Sequence, residues 1–360
     1  REIDLVEEVA RVNDLDRKLP ATLPKASGRV GGLSRQQQLQ RRAEDAMRES
    51  GFDEIVSWSF TDPDETGRLR LEAPDPRATA VLISNPLSED QSVMRTTLLG
   101  SALDAAQRNL ARGADSVALF ESGRVYLPQG VPGPGPLGGT FPGHRSAPVT
   151  EPQMLTALSA GSSGPDSWRD KPAPADFFTL KGVLEKLAAG LGVELSVRPA
   201  TQPFLHPGRS GEVLVEGQAI GWIGQVHPSI ASLWDLGDAV AFEIGLADLL
   251  EASNVGEETY VDFTAFPPAD RDIAVVVSED VYASDVVEGV KKAGGELLRS
   301  VSVFDVYRGD QIGAGMKSLA LSFRFRAPDR TLSDEEVDPL MAAIIESLGA
   351  VGGAIRSGNE

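Results

Sequence analysis

Along the last quarter of the chain, apolar and polar positions change their period in a fixed order. Residues 271–278 form a β-branched run, and residues 284–293 switch to helical spacing that stops at Gly294-Gly295. Residues 298–307 and 316–326 both alternate with period two. Ser333-Asp-Glu-Glu opens a second helix with acids in its first turn, where the helix dipole favours them. Residues 354–357 leave room for a short last strand. The predicted order is βαββαβ, the ferredoxin-like arrangement.

The same alternation predicts two unlike sheet faces. Leu319, Leu321, Phe323 and Phe325 share one side of their strand, with Ser318, Ala320, Ser322, Arg324 and Arg326 on the other. Ile273, Val275 and Val277 oppose Asp272, Ala274 and Val276, while Phe304 and Val306 oppose Asp305 and Tyr307. One face is expected to pack on the helices. The other carries small residues, two arginines and a tyrosine, which suits stacking of an unpaired base. It also suits an open face covered by a neighbouring domain.

Upstream, residues 1–13 read as an amphipathic helix with Asp4, Glu7 and Glu8 at i, i+3 and i+4 on one side. Such a face offers oxygen ligands to a hard divalent cation, or is simply solvated. A connector leads to a polar helix over residues 34–50, closed by Gly51, and FDEIVSWSF follows as an expected strand. Met94-Arg95-Thr96-Thr97 precedes a long helix ending at Gly113. Residues 117–126 read as a strand with Glu121 and Arg124 on its polar side. Residues 128–149 and 160–176 are Pro- and Gly-rich loops separated by regular sequence. A helix over 175–193 and paired strands over 204–228, turning at Gly217, complete this part. His144, His206 and His227 are too dispersed to suggest a metal pair; His206 and His227 each precede a proline and read as turn residues.

Composition narrows the field. The 360 residues suggest two or three domains, and 41% hydrophobic content is enough for real cores. There is no cysteine, which excludes disulfides, thiolate metal sites and a cysteine nucleophile. No apolar run reaches the ~20 residues of a membrane span, and a cytoplasmic location is expected. The net charge of −19 argues against broad, non-specific nucleic-acid binding and against a DNA partner. Even residues 262–356 hold 16 acidic against 10 basic residues, so any RNA contact there must be local and shape-based. No Walker-type phosphate loop and no Ser-His-Asp set is found. The first residue, Arg1, already lies in helical sequence, so the chain is expected to be a piece of a longer one.

FPPADRDIAVVV, FDVYRG and KSLALSFRFRAPDRTLSDEEV closely resemble the anticodon-binding ferredoxin-fold domain of bacterial phenylalanyl-tRNA synthetase β subunits. The resemblance continues upstream through DLVEEVAR, DFFTLKG and the strings around Met94-Arg95-Thr96-Thr97 and FESGRVY. It implies an α+β architecture: a remnant of a preceding domain and connector (1–30), a class II synthetase-like antiparallel sheet core (31–255) and the ferredoxin-like domain (262–356). The class II core is expected to be catalytically silent. FESGRVY stands where the second signature motif belongs, and AFEIGLADLL where the third belongs, without its glycine cluster or its arginine. No catalytic residue is therefore expected in this chain.

The family also implies a role and partners. The chain would be a non-catalytic part of an ATP-dependent phenylalanine–tRNA ligase, assembled as two α and two β chains and acting on tRNA-Phe. Ala274, Asp305, Tyr307 and Ser318 match the family's contacts to the first anticodon base. Asp4, Glu7 and Glu8 match acids that bind Mg2+ near the α subunit, where the family has a further Asp that would precede Arg1. A ligand-sensing or structural module built on a silent class II core is the alternative from another class.

Overall fold

The computed structural model describes residues 1–18, 31–128, 149–162, 168–169, 174–256 and 266–355. The chain forms two compact units, Arg1–Glu257 and Glu258–Glu360. Among the described residues no helix is long and apolar enough to cross a membrane.

The first unit is built on a seven-stranded sheet. Its strands are β1 (Asp53–Glu54), β2 (Val117–Arg124), β3 (Gln153–Ala160), β4 (Leu195–Pro199), β5 (Leu205–Val215), β6 (Gln218–Val226) and β7 (Ala239–Gly245). They lie in the order β1-β2-β3-β7-β6-β5-β4. Every pairing is antiparallel except that of β1 with β2. β3 and β7 sit centrally and are buried along nearly their whole length, polar Thr156, Ser159 and Glu243 included. The β5–β6 hairpin turns at Glu216-Gly217, both with positive φ, as a two-residue turn of this twist requires.

Helices cover both faces of this sheet. On one side, Arg35–Glu49 (α2, after α1 at Glu2–Val12) and Phe177–Gly190 (α4) bury Leu39, Met47, Leu180 and Leu184 against Phe120 and Phe242. On the other, Leu99–Ala111 (α3) packs Leu99 and Leu103 against Leu119, Leu158 and Trp222. Ser34 and Gln37 form a reciprocal capping box at the start of α2, which fixes where the polar helix begins.

The expected strand over residues 52–60 is not continuous. Only Asp53–Glu54 joins the main sheet, and Phe60–Thr61 pairs separately with Val93–Met94. Val56 and Trp58, read as strand residues, are exposed instead. Glu121 also departs from expectation, since it is 2% exposed and not on a solvated side. Both His206 and His227 accept backbone N–H bonds through Nδ1 from residues two positions on; His227 caps a short helix at a change of direction, whereas His206, read as a turn residue, lies within β5.

The second unit realises βαββαβ: β8 (Ala269–Ser278), α5 (Ala283–Gly294), β9 (Leu298–Tyr307), β10 (Met316–Phe325), α6 (Asp334–Ala350) and β11 (Ala354–Ile355). The strand order β9-β10-β8-β11 is that of an antiparallel ferredoxin-like sheet. Helix α5 stops at Gly295, whose φ of 62° suits glycine. Ser333 and Glu336 cap α6 reciprocally. Val275, Val277, Leu319, Leu321, Phe323 and Phe325 form the core with Val286, Val290, Val337 and Ile344 of the two helices. This is the apolar face predicted from β8 and β10.

Candidate nucleic-acid interface

The open face of the second sheet is organised by register. Asp305 of β9 pairs with Ala320 of β10, and Ala320 with Ala274 of β8. In the next row toward the strand ends, Tyr307 pairs with Ser318, and Ser318 with Val276. Directly opposed side chains in an antiparallel sheet stand ~5 Å apart, and residues two along a strand ~7 Å. Ala274, Asp305, Tyr307 and Ser318 therefore fall in one patch of two rows across three strands, small enough for a single base.

Their exposures differ. Asp305 is exposed, Ala274 and Tyr307 are half-buried, and Ser318 is 4% exposed, so little of its hydroxyl is open. One oxygen of Asp305 accepts the Val306 N–H at 2.9 Å. An ionised carboxylate has further lone pairs for donors on a base edge.

One residue of β9 breaks the expected pattern. The register slips between Val303 and Asp305, which makes Phe304 the extra residue of a bulge. Val301 and Val303 pack on the core, and Val306 pairs with Leu319. Phe304, read as a core residue, is 61% exposed. The apolar series itself held the signal: it runs on odd numbers at 301 and 303 and on an even number at 306, a change of parity that a regular strand cannot accommodate.

The cations beside this face are already matched. Arg324 meets Asp270 through two bonds of 2.9 and 3.0 Å, which hold the Asp270 carboxyl below its ordinary range. Arg308 forks onto Glu279, lowering that carboxyl in the same way. Arg326 donates to the Phe266 carbonyl. The surface offers shape, a ring and a carboxylate more than it offers positive charge.

In the first unit, the polar side chains of FESGRVY and AFEIG and the Arg95 beside them are engaged in internal bonds. Arg95 is 3% exposed; its Nη1 meets Glu121 Oε1 at 2.8 Å and Ser57 Oγ at 2.7 Å, and its Nε meets the Arg124 carbonyl at 2.8 Å. Arg124 donates to the Glu151 carbonyl. Glu243, in the AFEIG string, accepts from Thr97 Oγ1 at 2.8 Å and from the Leu98 N–H at 2.7 Å. Burial pushes its carboxyl upward against those two bonds. These groups join β2 and β7 to the start of α3 and are spent on doing so.

The chain matches the family described as phenylalanyl tRNA synthetase beta chain CLM domain over residues 19–246, and the ferredoxin-fold anticodon binding domain over 264–356. It belongs to the phenylalanyl-tRNA synthetase β-chain family. The phenylalanine–tRNA ligase beta subunit of Geobacillus kaustophilus is 37% identical over 97% of this chain and 42% of its own length. The equivalent subunit of Symbiobacterium thermophilum is 37% identical over 99% of this chain and 38% of its own length. That of Geobacter sulfurreducens is 36% identical over 99% and 43%. The chain thus spans about two-fifths of the length of these family members.

The acids read as a metal set lie on α1. Asp4, Glu7 and Glu8 are all exposed, and Glu8 is paired with Arg11. Among the described residues, no three Asp, Glu, His or Cys side chains converge closely enough to hold a metal ion. Their oxygens have the right chemistry for Mg2+, but their placement does not form a cage for it.

Proposed function

We propose that this chain serves a phenylalanine–tRNA ligase as non-catalytic β-subunit sequence, contacting the anticodon region of tRNA-Phe and supporting a catalytic α subunit in a cytoplasmic assembly of two α and two β chains. ATP and Mg2+ are used by that assembly. Asp4, Glu7 and Glu8, as they stand here, do not form a Mg2+ site by themselves.

The observation that carries the RNA part is the two-row patch: a tyrosine and a carboxylate on one strand, with small residues across from them. A base lying over Ala274 and Ala320 would stack on the Tyr307 ring and present its edge to Asp305. Stacking is worth about 1–3 kcal/mol per base. In the assembled ligase, Tyr307→Ala is therefore expected to lower kcat/KM for tRNA roughly ten- to a hundredfold. Phenylalanine-dependent pyrophosphate exchange should be unchanged. A wild-type specificity constant for tRNA in Tyr307→Ala would remove the stacking proposal.

Support for a protein partner comes from the first unit. Val56, Trp58 and Leu82 are 72–91% exposed on or close in sequence to the small pairing of Phe60 with Met94 and of Leu82 with Val93. Large exposed apolar side chains grouped in this way are typical of protein interfaces. Support for a silent core comes from AFEIGLADLL, which has neither the glycine cluster nor the arginine that a working third motif carries to clamp phosphates. The purified chain is expected to catalyse no phenylalanine-dependent pyrophosphate exchange; exchange by the chain alone would refute the non-catalytic assignment.

A further inference from the structure

The Tyr307 ring lies against the backbone of Gly309. A Cβ at position 309 would stand 2.4 Å from Tyr307 Oη, 2.8 Å from Cζ and 3.3 Å from Cε1. The first two separations are closer than real Cβ contacts come. The ring thus occupies the space that any other residue at 309 would fill.

The chain on either side has little freedom to yield. Tyr307 is held in register with Ser318. Arg308 forks onto Glu279 with bonds of 2.7 to 3.1 Å, and Lys317 Nζ binds the Glu279 carbonyl at 2.8 Å. The Gly309 carbonyl accepts the Ile312 N–H at 3.2 Å. The tyrosine side chain, turning about two torsions, is the part that can move.

We propose that Gly309 is a positioning residue for RNA recognition: its lack of a side chain keeps the Tyr307 ring in the orientation that receives an unpaired nucleobase. This rests on the stacking reading of Tyr307. A methyl group at 309 leaves the sheet intact and forces the ring out of this orientation. The loss then appears in tRNA binding, not in the fold and not in amino-acid activation.

The test is a double-mutant cycle in the complete ligase with both subunits, using Gly309→Ala, Tyr307→Ala and the pair. Gly309→Ala should lower kcat/KM for tRNA about three- to tenfold, mainly through KM, and by no more than Tyr307→Ala does. In the Tyr307→Ala background it should have no further effect. If Gly309→Ala lowers the melting temperature through this clash, Tyr307→Ala should restore it. Wild-type kinetics for Gly309→Ala beside an impaired Tyr307→Ala would overturn the positioning role and leave stacking standing. Wild-type kinetics for both would overturn stacking as well. Additive losses, or a melting defect that Tyr307→Ala does not relieve, would mean that Gly309 acts through something other than the ring, and would also overturn the proposal.

Discussion

The two sheets put the same kinds of side chain to opposite uses. In the first unit an arginine and a carboxylate, Arg95 and Glu121, meet at 2.8 Å with both side chains under 5% exposed. In the second, Arg324 and Asp270 meet at 2.9 Å with both about half exposed. The first pair ties a strand to the loop ahead of a helix. The second lies on the open face, two same-face rows from Asp305. Where polar groups satisfy one another inside, a fold gains a unique arrangement and loses a site. Where they stand on an uncovered face, the reverse holds.

The largest expected effect follows from the buried pair. Arg95→Ala strands the Glu121 carboxylate and should destabilise the first unit by about 3–5 kcal/mol. Denaturant unfolding of the variant would measure it. A loss below ~1 kcal/mol, the range of surface pairs, would erase the contrast between the two sheets.

Glu65 sharpens the same contrast through pH. It is 3% exposed, and burial raises its carboxyl pKa from 4.5 to about 7, with the Thr61 hydroxyl bond opposing. A raised acid binds its proton more strongly in the folded state, so stability falls as pH rises from 4.5 through about 7. The full cost applies above that window and vanishes below it. Glu65→Gln should therefore stabilise the chain at pH 8, by up to about 3 kcal/mol, and do nothing at pH 4. Equal effects at both pH values would show that Glu65 is not the titrating group. The Tyr307→Ala loss in tRNA use falls in the same range but is read in binding, with stability unchanged.

The smallest effect belongs to the exposed pair. Asp270→Asn should leave unfolding indistinguishable from wild type at physiological salt, because an exposed ion pair is screened. A clear loss of stability there would show that the sheet face is not solvated as described.

How much could be seen in advance followed from how each segment is surrounded. The ferredoxin-like unit was legible because each strand of β8 and β10 has one buried and one open face, so period two survives in the sequence. Ala274, Asp305, Tyr307 and Ser318 were placed on one sheet face by that counting. Phe304 was misplaced because the bulge resets the count within one strand. The core was harder: Glu121 and Glu243 look like surface residues until Arg95 and Thr97, far away in sequence, are brought to them. Val56 and Trp58 were read as strand residues because β-propensity cannot distinguish a strand from a segment kept apolar for another reason.

The extra residue in β9 has one more consequence, which concerns insertions and deletions. β9 also slips between Leu298 and Ser300, and residues 300–303 and 305–307 are the two segments, of different phase, that Phe304 separates. Substituting Phe304 keeps the spacing, so the face is expected to tolerate many residues there. Removing it leaves Val303, Asp305, Val306 and Tyr307 in one regular alternation, with Val303 and Val306 still on the helix side and Asp305 and Tyr307 still on the open one. A lineage can change the letter at this position or drop it and keep the open face, because the bulge sets the bend of the strand and not which residues belong to that face.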